Sequence, residues 1–323
     1  MDDLRWAPPS RDDDPDWVAL LAAIEDVDER GETYEVADLG DEWDSVWSHP
    51  ETDAQLVWDG PELVAFAWLK AMPGQRKHHR VGFWGGVRPS HRRRGIGSAL
   101  FDWSLQRGAE IAEQFDASLP VEMDIDADDR QRDLVAVSTK AGFAVVRTFL
   151  ELARPVTVPV LPVPAPAGLE LVPWSAELDE EARLAHVEAF QDHWGSEPRS
   201  AEEWAQWYTG HRNFRPDLSV LAVDSVSGQV AALVLTAAYP QDWERLPPEA
   251  WINTVGTRRD WRGKGVARWL MNDVHQRIAD ADSGFVRAIL GVDSENPTGA
   301  LGLYRGLGYE DVRAVLSLAR TLR

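Results

Sequence analysis

Cysteine is absent from the 323 residues. Disulfides, thiolate metal sites and a thiol nucleophile are therefore excluded, and any thiol in the chemistry must arrive on another molecule. Excess positive charge is also missing: the formal net charge is −21. A phosphate-backbone partner needs a basic footprint, so no nucleic-acid partner is expected. No apolar run approaches the roughly 18 residues of a membrane span, which argues against a membrane partner. The opening MDDLRWAPPSRDDD has neither a basic region nor an apolar stretch. It does not read as a secretory signal, and cytoplasmic residence is the expectation.

What is present is a composition of ordinary globular type, 44% hydrophobic and 27% charged, in a chain long enough for two domains. An internal repeat supports two. GFAVVRTFLELAR from Gly142 recurs as GYEDVRAVLSLAR from Gly308, and at nearly the same spacing RRRGIG from Arg92 recurs as RGKGVA from Arg262. Between the halves, Pro155–Gly168 carries repeated prolines that remove backbone donors and favour an extended linker. The repeat predicts an N-terminal domain over 1–154, a linker over 155–167 and a C-terminal domain over 168–323.

Both halves have the same coarse order. In the first, a helical period from Asp16 precedes two strands around a Gly-Pro turn (from Gln55 and from Glu62), a third strand from Arg80, a helix after the glycine motif, and a strand from Pro120. The second half supplies strands from Leu218, Gln229, Trp251 and Phe285. Its helix after Gly265 carries Val266, Trp269, Leu270, Val274 and Ile278 on one stripe. Each half ends in a long apolar strand. A meander followed by strand–helix alternation predicts an α/β fold with a mixed sheet and helices on its faces. Most of the sixteen tryptophans, Trp68, Trp103 and Trp269 among them, fall on core-like positions.

The sharpest motif is Arg-x-x-Gly-x-Gly/Ala at a strand-to-helix turn. It comprises Arg92, Arg93, Arg94, Gly95, Ile96 and Gly97 in the first half, and Arg262, Gly263, Lys264, Gly265, Val266 and Ala267 in the second. Small residues let backbone approach a ligand, unpaired N–H groups of the first helical turn point at it, and the helix dipole with the basic side chains favours an anion. A pyrophosphate could be held this way without metal. A Walker loop is excluded, since Gly-Lys-Ser/Thr is missing, and a dinucleotide fingerprint would follow the first strand rather than the third or fourth.

This motif after such a meander resembles the acetyl-CoA pyrophosphate loop of the GNAT acetyltransferases. ENPTGALGLYRGLGY from Glu295 resembles that family's downstream pattern: an asparagine, a helix ending in tyrosine, then Gly-Tyr opening the last strand. The tandem plan is similar to that of mycothiol synthase and related tandem acetyltransferases. The resemblance implies two tandem acyl-CoA N-acyltransferase domains and direct transfer of acetyl from acetyl-CoA to a primary amine of a small acceptor. It implies Tyr304 as proton donor to the departing sulfur, a strand amide near Thr254 to Gly256 for the oxyanion, and Asn296 near the pantetheine arm or the helix start. Val255 and Val87, on the strands before the two loops, join the cofactor-binding set.

WINTVGT lacks the strand glutamate that many relatives use as base, and HVEAFQDHWG from His186 offers Glu188, Asp192 and His193 without selecting one. In the first half, Ser138 stands at the position of Tyr304 and Arg130 at that of Asn296, so this half is expected to be non-catalytic, binding acetyl-CoA structurally or buttressing its partner. A non-catalytic acyl-CoA sensor is the alternative reading, and a mycothiol precursor is an alternative acceptor. Either a monomer or a homodimer fits the repeat.

Overall fold

The computed structural model describes residues 4–45, 48–71, 78–296 and 298–323. Met1–Asp3 of the acidic opening and Pro297 beside Asn296 lie outside them. The fold is mixed α/β and divides into two compact units: residues 1–148 with 314–323, and residues 149–313.

The first unit contains β1 (Leu4–Ala7), α1 (Asp14–Asp28), α2 (Val36–Trp43), α3 (Pro50–Asp53), β2 (Ala54–Asp59), β3 (Glu62–Ala71), β4 (His79–Val87), α4 (Ile96–Ala112), β5 (Val121–Asp128) and α5 (Arg132–Lys140). β6 (Ala144–Pro155) leaves it for the second unit, which adds β7 (Leu169–Pro173), α6 (Asp179–Ala189), α7 (Ala201–Trp204), β8 (Val220–Asp224), β9 (Val230–Ala237), β10 (Glu249–Thr257), α8 (Val266–Asp280), β11 (Arg287–Asp293) and α9 (Ala300–Arg305). β12 (Glu310–Thr321) returns to the first unit from Ala314.

Strand order in the first unit is β1-β2-β3-β4-β5-β12, and in the second β7-β8-β9-β10-β11-β6. In each, one parallel pair (β4 with β5, β10 with β11) sits among antiparallel neighbours. A parallel pair needs a crossover, which α4 and α8 supply. The sequence reading missed the short edge strands β1 and β7, because four or five residues carry too little alternation to register.

The repeats and the compact units are cut at different places. The last strand of each repeat pairs within the unit built mainly by the other: β6 runs beside β11 from Arg287↔Pro155 to Asp293↔Phe149, and β12 beside β5 from Val315↔Asp128 to Thr321↔Glu122. The arginine closing each repeat fixes this exchange. Arg154 is 3% exposed and donates from Nε to Leu307 O at 2.8 Å, and from one terminal nitrogen to Val158 O at 2.8 Å and Pro159 O at 3.3 Å. Arg320, its counterpart in the second repeat, donates to Ala141 O, and Ala141 holds the place in the first repeat that Leu307 holds in the second. The linker is thereby tied down, and Asn272 of α8 further holds Leu161 O at 2.5 Å.

β9 is buried along its whole length, as expected of a central strand covered on both faces. On one face α8 and α9 pack Val266, Leu270, Val274, Ile278 and Tyr304 against Ala250, Ile252, Leu290 and Val292. On the other, α6 and α7 pack Ala182, Ala185 and Trp204 against Leu221, Leu233 and Leu235. The predicted stripe of α8 is the buried one, with Trp269 partly buried beside it. Trp68 is fully buried and Trp103 packs at the edge of the core. No helix among the described residues is long and apolar enough to cross a membrane.

Two buried histidines give the fold a pH dependence. Burial, with smaller contributions from Arg199 and His193, pushes His186 down to about 3, and burial with Arg154 does the same to His275. Both stay neutral in the fold and charge once it opens. Each therefore removes stability as pH falls below its ordinary 6.5, by about 1.4 kcal/mol per pH unit. Asp124, raised to about 6 by burial and by Asp126, works in the opposite sense, holding a proton that the unfolded chain releases above 3.8. Between pH 6 and 4 the histidines remove stability while Asp124, joined by Asp14, Asp126 and Glu151 that burial likewise raises, returns part of it, so the loss per unit is expected to be smaller than the two histidines alone would give, read from urea midpoints at successive pH. Replacing Arg154 with Leu strands buried carbonyls and is expected to cost about 2–3 kcal/mol in the same assay.

Candidate active site

β10 and β11 pair only from Glu249↔Arg287 to Trp251↔Ile289, although β10 continues to Thr257 and β11 to Asp293. Beyond that point the strands part. A bulge between Ile252 and Thr254 shifts the register of β10 against β9, bending β10 away and increasing its local twist. The opening is a cleft of about 360 Å³, lined by β10 from Ile252 to Thr257, β11 from Leu290 to Asp293, the start of α8, α9 with Tyr304, and Phe190 to His193 after α6. On its cleft side β10 thus carries alternate amides without a strand partner.

Glycines build the α8 end of the cleft. Gly263 has φ +73° and Gly265 φ +80°, a conformation that costs a side-chain-bearing residue about 1–2 kcal/mol. Gly265 is the N-cap and no side chain caps the helix. The first bond back to it comes from Trp269 N at 3.0 Å, so the amides of Val266, Ala267 and Arg268 have no partner within the helix. Arg262 does not point outward with them. Its Nε donates to Thr257 O at 3.2 Å, one terminal nitrogen to Ala189 O at 2.8 Å, and the other lies 3.4 Å from Asp192. It braces the loop against β10 and α6. Lys264 is exposed, 4.6 Å over the Trp261 ring, and does not line the cleft, whereas Arg268, which the motif did not single out, does.

Tyr304 is 7% exposed and lies edge-on to Tyr309 with ring centroids 5.9 Å apart. Burial pushes its phenol up to about 12, so it keeps its proton throughout the neutral range. Asn296 lines the cleft but does not cap α9: its Oδ1 accepts from Thr298 N at 2.8 Å and Thr298 Oγ1 at 2.5 Å, and the N-cap is Gly299 at φ +76°. Val255 and Gly256 line the cleft, the latter closed from behind by Leu233, Ala189 and Phe190. A Cβ on Gly291 would meet nothing within 4 Å, so the cleft floor is open there. Thr254, 4% exposed on the same wall, has an Oγ1 with no hydrogen-bond partner.

Of the proton acceptors suggested by sequence, Glu188 is engaged by Arg258 at 2.7 Å and by the Arg259 amide at 3.2 Å. Asp192 is held below the usual carboxylate range by Arg259 at 2.9 Å and by Arg262. His193 lines the cleft and its Nδ1 is 2.9 Å from Trp194 O.

The first unit repeats the plan with different contents. β4 and β5 pair from His79↔Val121 to Gly82↔Asp124 and then part. Gly95 has φ +85°, while Arg93 takes φ +64° where the other repeat has Gly263. Arg92 is held bidentately by Asp28 at 2.7 and 2.9 Å and donates to Val87 O. Arg93 pairs with Asp133 and Arg94 with Asp59. Ile96 is buried, and Gly97 sits where a Cβ would be 3.8 Å from Val87. The Phe83 ring stacks on Phe101 and lies over Gly85, within 2.5 Å of where a Cβ would be. Ser138 donates back to Leu134 O at 2.8 Å, and Arg130 is tied to Asp128.

A parted parallel pair in a mixed sheet, with a helix N-terminus and a buried tyrosine at the opening, defines an α/β acyltransferase. The Acetyltransferase (GNAT) family profile matches residues 17–130 and 178–309, and the chain belongs to that family as a tandem GNAT acetyltransferase. It is 27% identical to the mycothiol acetyltransferase of Parafrankia sp. over 82% of each chain, and 26% identical to that of Salinispora tropica over 69% of this chain and 67% of the other. Among solved structures it is similar to a GCN5-related N-acetyltransferase from Sphaerobacter thermophilus, with TM-score 0.76, 25% identity and coverage of 100% and 97%. A tandem GNAT protein from the clavulanic acid biosynthesis pathway shares the fold, with TM-score 0.71, 18% identity and 99% coverage of both chains. Proteins of the family use acetyl-CoA.

If this cleft is the working site, Gly291→Leu extends an apolar side chain from a Cβ position that has nothing within 4 Å. Its melting temperature is expected to stay within about 2 °C of wild type, since no buried contact is lost, while acetyl transfer falls at least tenfold; differential scanning fluorimetry and a thiol-release assay read the two.

Proposed function

We propose that the second unit transfers acetyl from acetyl-CoA to the primary amine of a small acceptor. The observation that carries this reading is the convergence, in one cleft, of unpartnered helix amides, the free edge of β10 and the protonated phenol of Tyr304. The amides of Val266, Ala267 and Arg268 would hold the pyrophosphate, with Arg262 positioning their loop rather than touching the ligand. The free edge of β10 would receive the pantetheine arm, and an amide between Asn253 and Gly256 would donate to the oxyanion. Asn296 would shape the wall beside the arm through its turn with Thr298.

As the amine attacks, the carbonyl carbon gains a C–N bond, the tetrahedral oxyanion collapses, and the C–S bond breaks. Tyr304 gives its proton to the departing sulfur. A phenol held near 12 is a weak acid in isolation, so its donation is driven by the charge growing on sulfur within reach and not by prior ionisation.

The first unit is proposed not to catalyse. Ser138 spends its hydroxyl on a helix carbonyl, and Phe83 fills the space beside β4 that the other unit leaves open. One acetyl-CoA per chain follows from this reading. The first acceptors to assay are those of the mycothiol acetyltransferases it resembles, within a wider panel of small amines.

Tyr304→Phe is expected to lower kcat at least 100-fold, within the span of acid–base contributions, and to shift KM for acetyl-CoA by less than about threefold. Steady-state kinetics with CoA release as readout checks it; unchanged kcat would remove Tyr304 from the chemistry. Isothermal calorimetry checks the stoichiometry of one, and two sites per chain would show the first unit to be occupied.

A further inference from the structure

We infer that His193 is the general base of the transfer, taking the acceptor's proton on Nε2. This rests on the acetyl transfer proposed above and names the group that reading lacks. Tyr304 supplies a proton to sulfur, so a second group must remove one from the attacking nitrogen. β10 lines the cleft from Ile252 to Thr257, and none of these residues carries a base.

Three groups lining the cleft besides Tyr304 can ionise by accepting a proton in the working range: Asp192, His193 and Asp293. Asp192 is neutralised by Arg259 and Arg262, which hold it as a weak base. Asp293 is 1% exposed and its Oδ1 accepts the Glu295 amide at 2.9 Å, a turn that opens the segment to α9. Only His193 is both half-buried in the wall and built to leave a lone pair available. Its Nδ1 faces Trp194 O at 2.9 Å, and a carbonyl can only accept, so in the neutral ring Nδ1 carries the hydrogen and Nε2 the lone pair. The backbone is fixed on both sides, His193 N to Phe190 O at 3.0 Å and Ser196 N to His193 O at 3.2 Å, and the ring lies 5.5 Å from that of Phe190. Trp194 O can also stabilise the imidazolium once it forms.

The charged surroundings are balanced. On its own segment stands Asp192, paired with Arg259 and Arg262 of the loop before α8; His186 of α6, neutral, feels both His193 and Arg199, and Asp293 lines the same cleft. The step balances: Nε2 takes one proton from the acceptor's ammonium, the freed lone pair bonds to carbon, the C–S bond breaks as sulfur takes the Tyr304 proton, the nitrogen's remaining surplus proton returns to Tyr304 through solvent, and His193 releases its proton to solvent.

The test compares two nucleophiles, ethanolamine, protonated at neutral pH, and hydroxylamine, largely unprotonated there. His193→Gln is expected to lower the ethanolamine rate at least 100-fold, to flatten the acid limb of the kcat/KM profile, and to lower the hydroxylamine rate less than about fivefold. Imidazole added to His193→Ala should restore a part of the lost rate, which a merely structural role would not allow. Acetyl-CoA affinity, measured by calorimetry on the same variants, should stay within twofold of wild type. Equal losses with both nucleophiles, or an unaltered pH profile, would overturn the assignment and leave the transfer itself standing. A wild-type protein that binds acetyl-CoA but acetylates neither amine counts against the base, and one that does not bind it removes the underlying reading.

Discussion

Two parallel strands that stop bonding halfway along their length are what the second unit is organised around. Unpaired amides on a buried strand are costly, since each lost backbone bond in a dry site forfeits one to a few kcal/mol. β10 tolerates them because its other edge is paired to β9 almost throughout, its bulge at Asn253 absorbs the bend, and the opening is wide enough for solvent or ligand to satisfy them. Everything around the cleft serves that gap. α8 starts at its mouth, α9 brings Tyr304 to its side, and Arg262 ties the loop to the end of β10 and the end of α6, so that the glycine-built turn stays aimed at it.

The exchange of last strands gives the repeat a consequence that a simple tandem would lack. β6 carries Glu151, Ala153 and Phe149 into the second unit beside Gly291, Ile289 and Asp293 of β11. The floor of the cleft thus depends on a strand encoded in the first repeat. Two arginines at equivalent places in the repeats, each bonded to a carbonyl just after the other repeat's last helix, secure the arrangement. Glu151 pairs with Arg313 at 2.8 Å inside the same unit, and its carboxyl is raised by burial even so, a sign of how dry this edge is.

The first unit keeps the geometry of the gap with different side chains around it. Arg93 holds a left-handed conformation that its counterpart Gly263 takes without strain, Phe83 covers Gly85, and Asp124 buries a carboxylate at the last paired position of β4 and β5. Each change is small. Together they leave less open space beside β4 than the second unit leaves beside β10, which supports the proposal that the first unit does not catalyse.

Much was legible in the sequence because the relevant signals are local. Gly265 and Gly263 mark positions where only a residue without a Cβ is comfortable, the spacing of Val266, Leu270, Val274 and Ile278 fixes which face of α8 is buried, and the recurrence of one long segment from Gly142 at Gly308 reveals the duplication. The family resemblance added Tyr304 and Asn296. What could not be read were pairings between distant segments: that Arg262 turns inward to Ala189 and Asp192, that Glu188 is consumed by Arg258, that Asn296 closes a turn with Thr298 rather than capping a helix, and that β6 and β12 trade places. Sequence by itself determined the elements, the repeat and the glycine turns, since these follow from backbone conformation and periodicity within a few residues. Tertiary structure alone decided which charges are cancelled and which side chains come together to line the cleft, because a side chain's chemistry depends on neighbours that chain order does not specify.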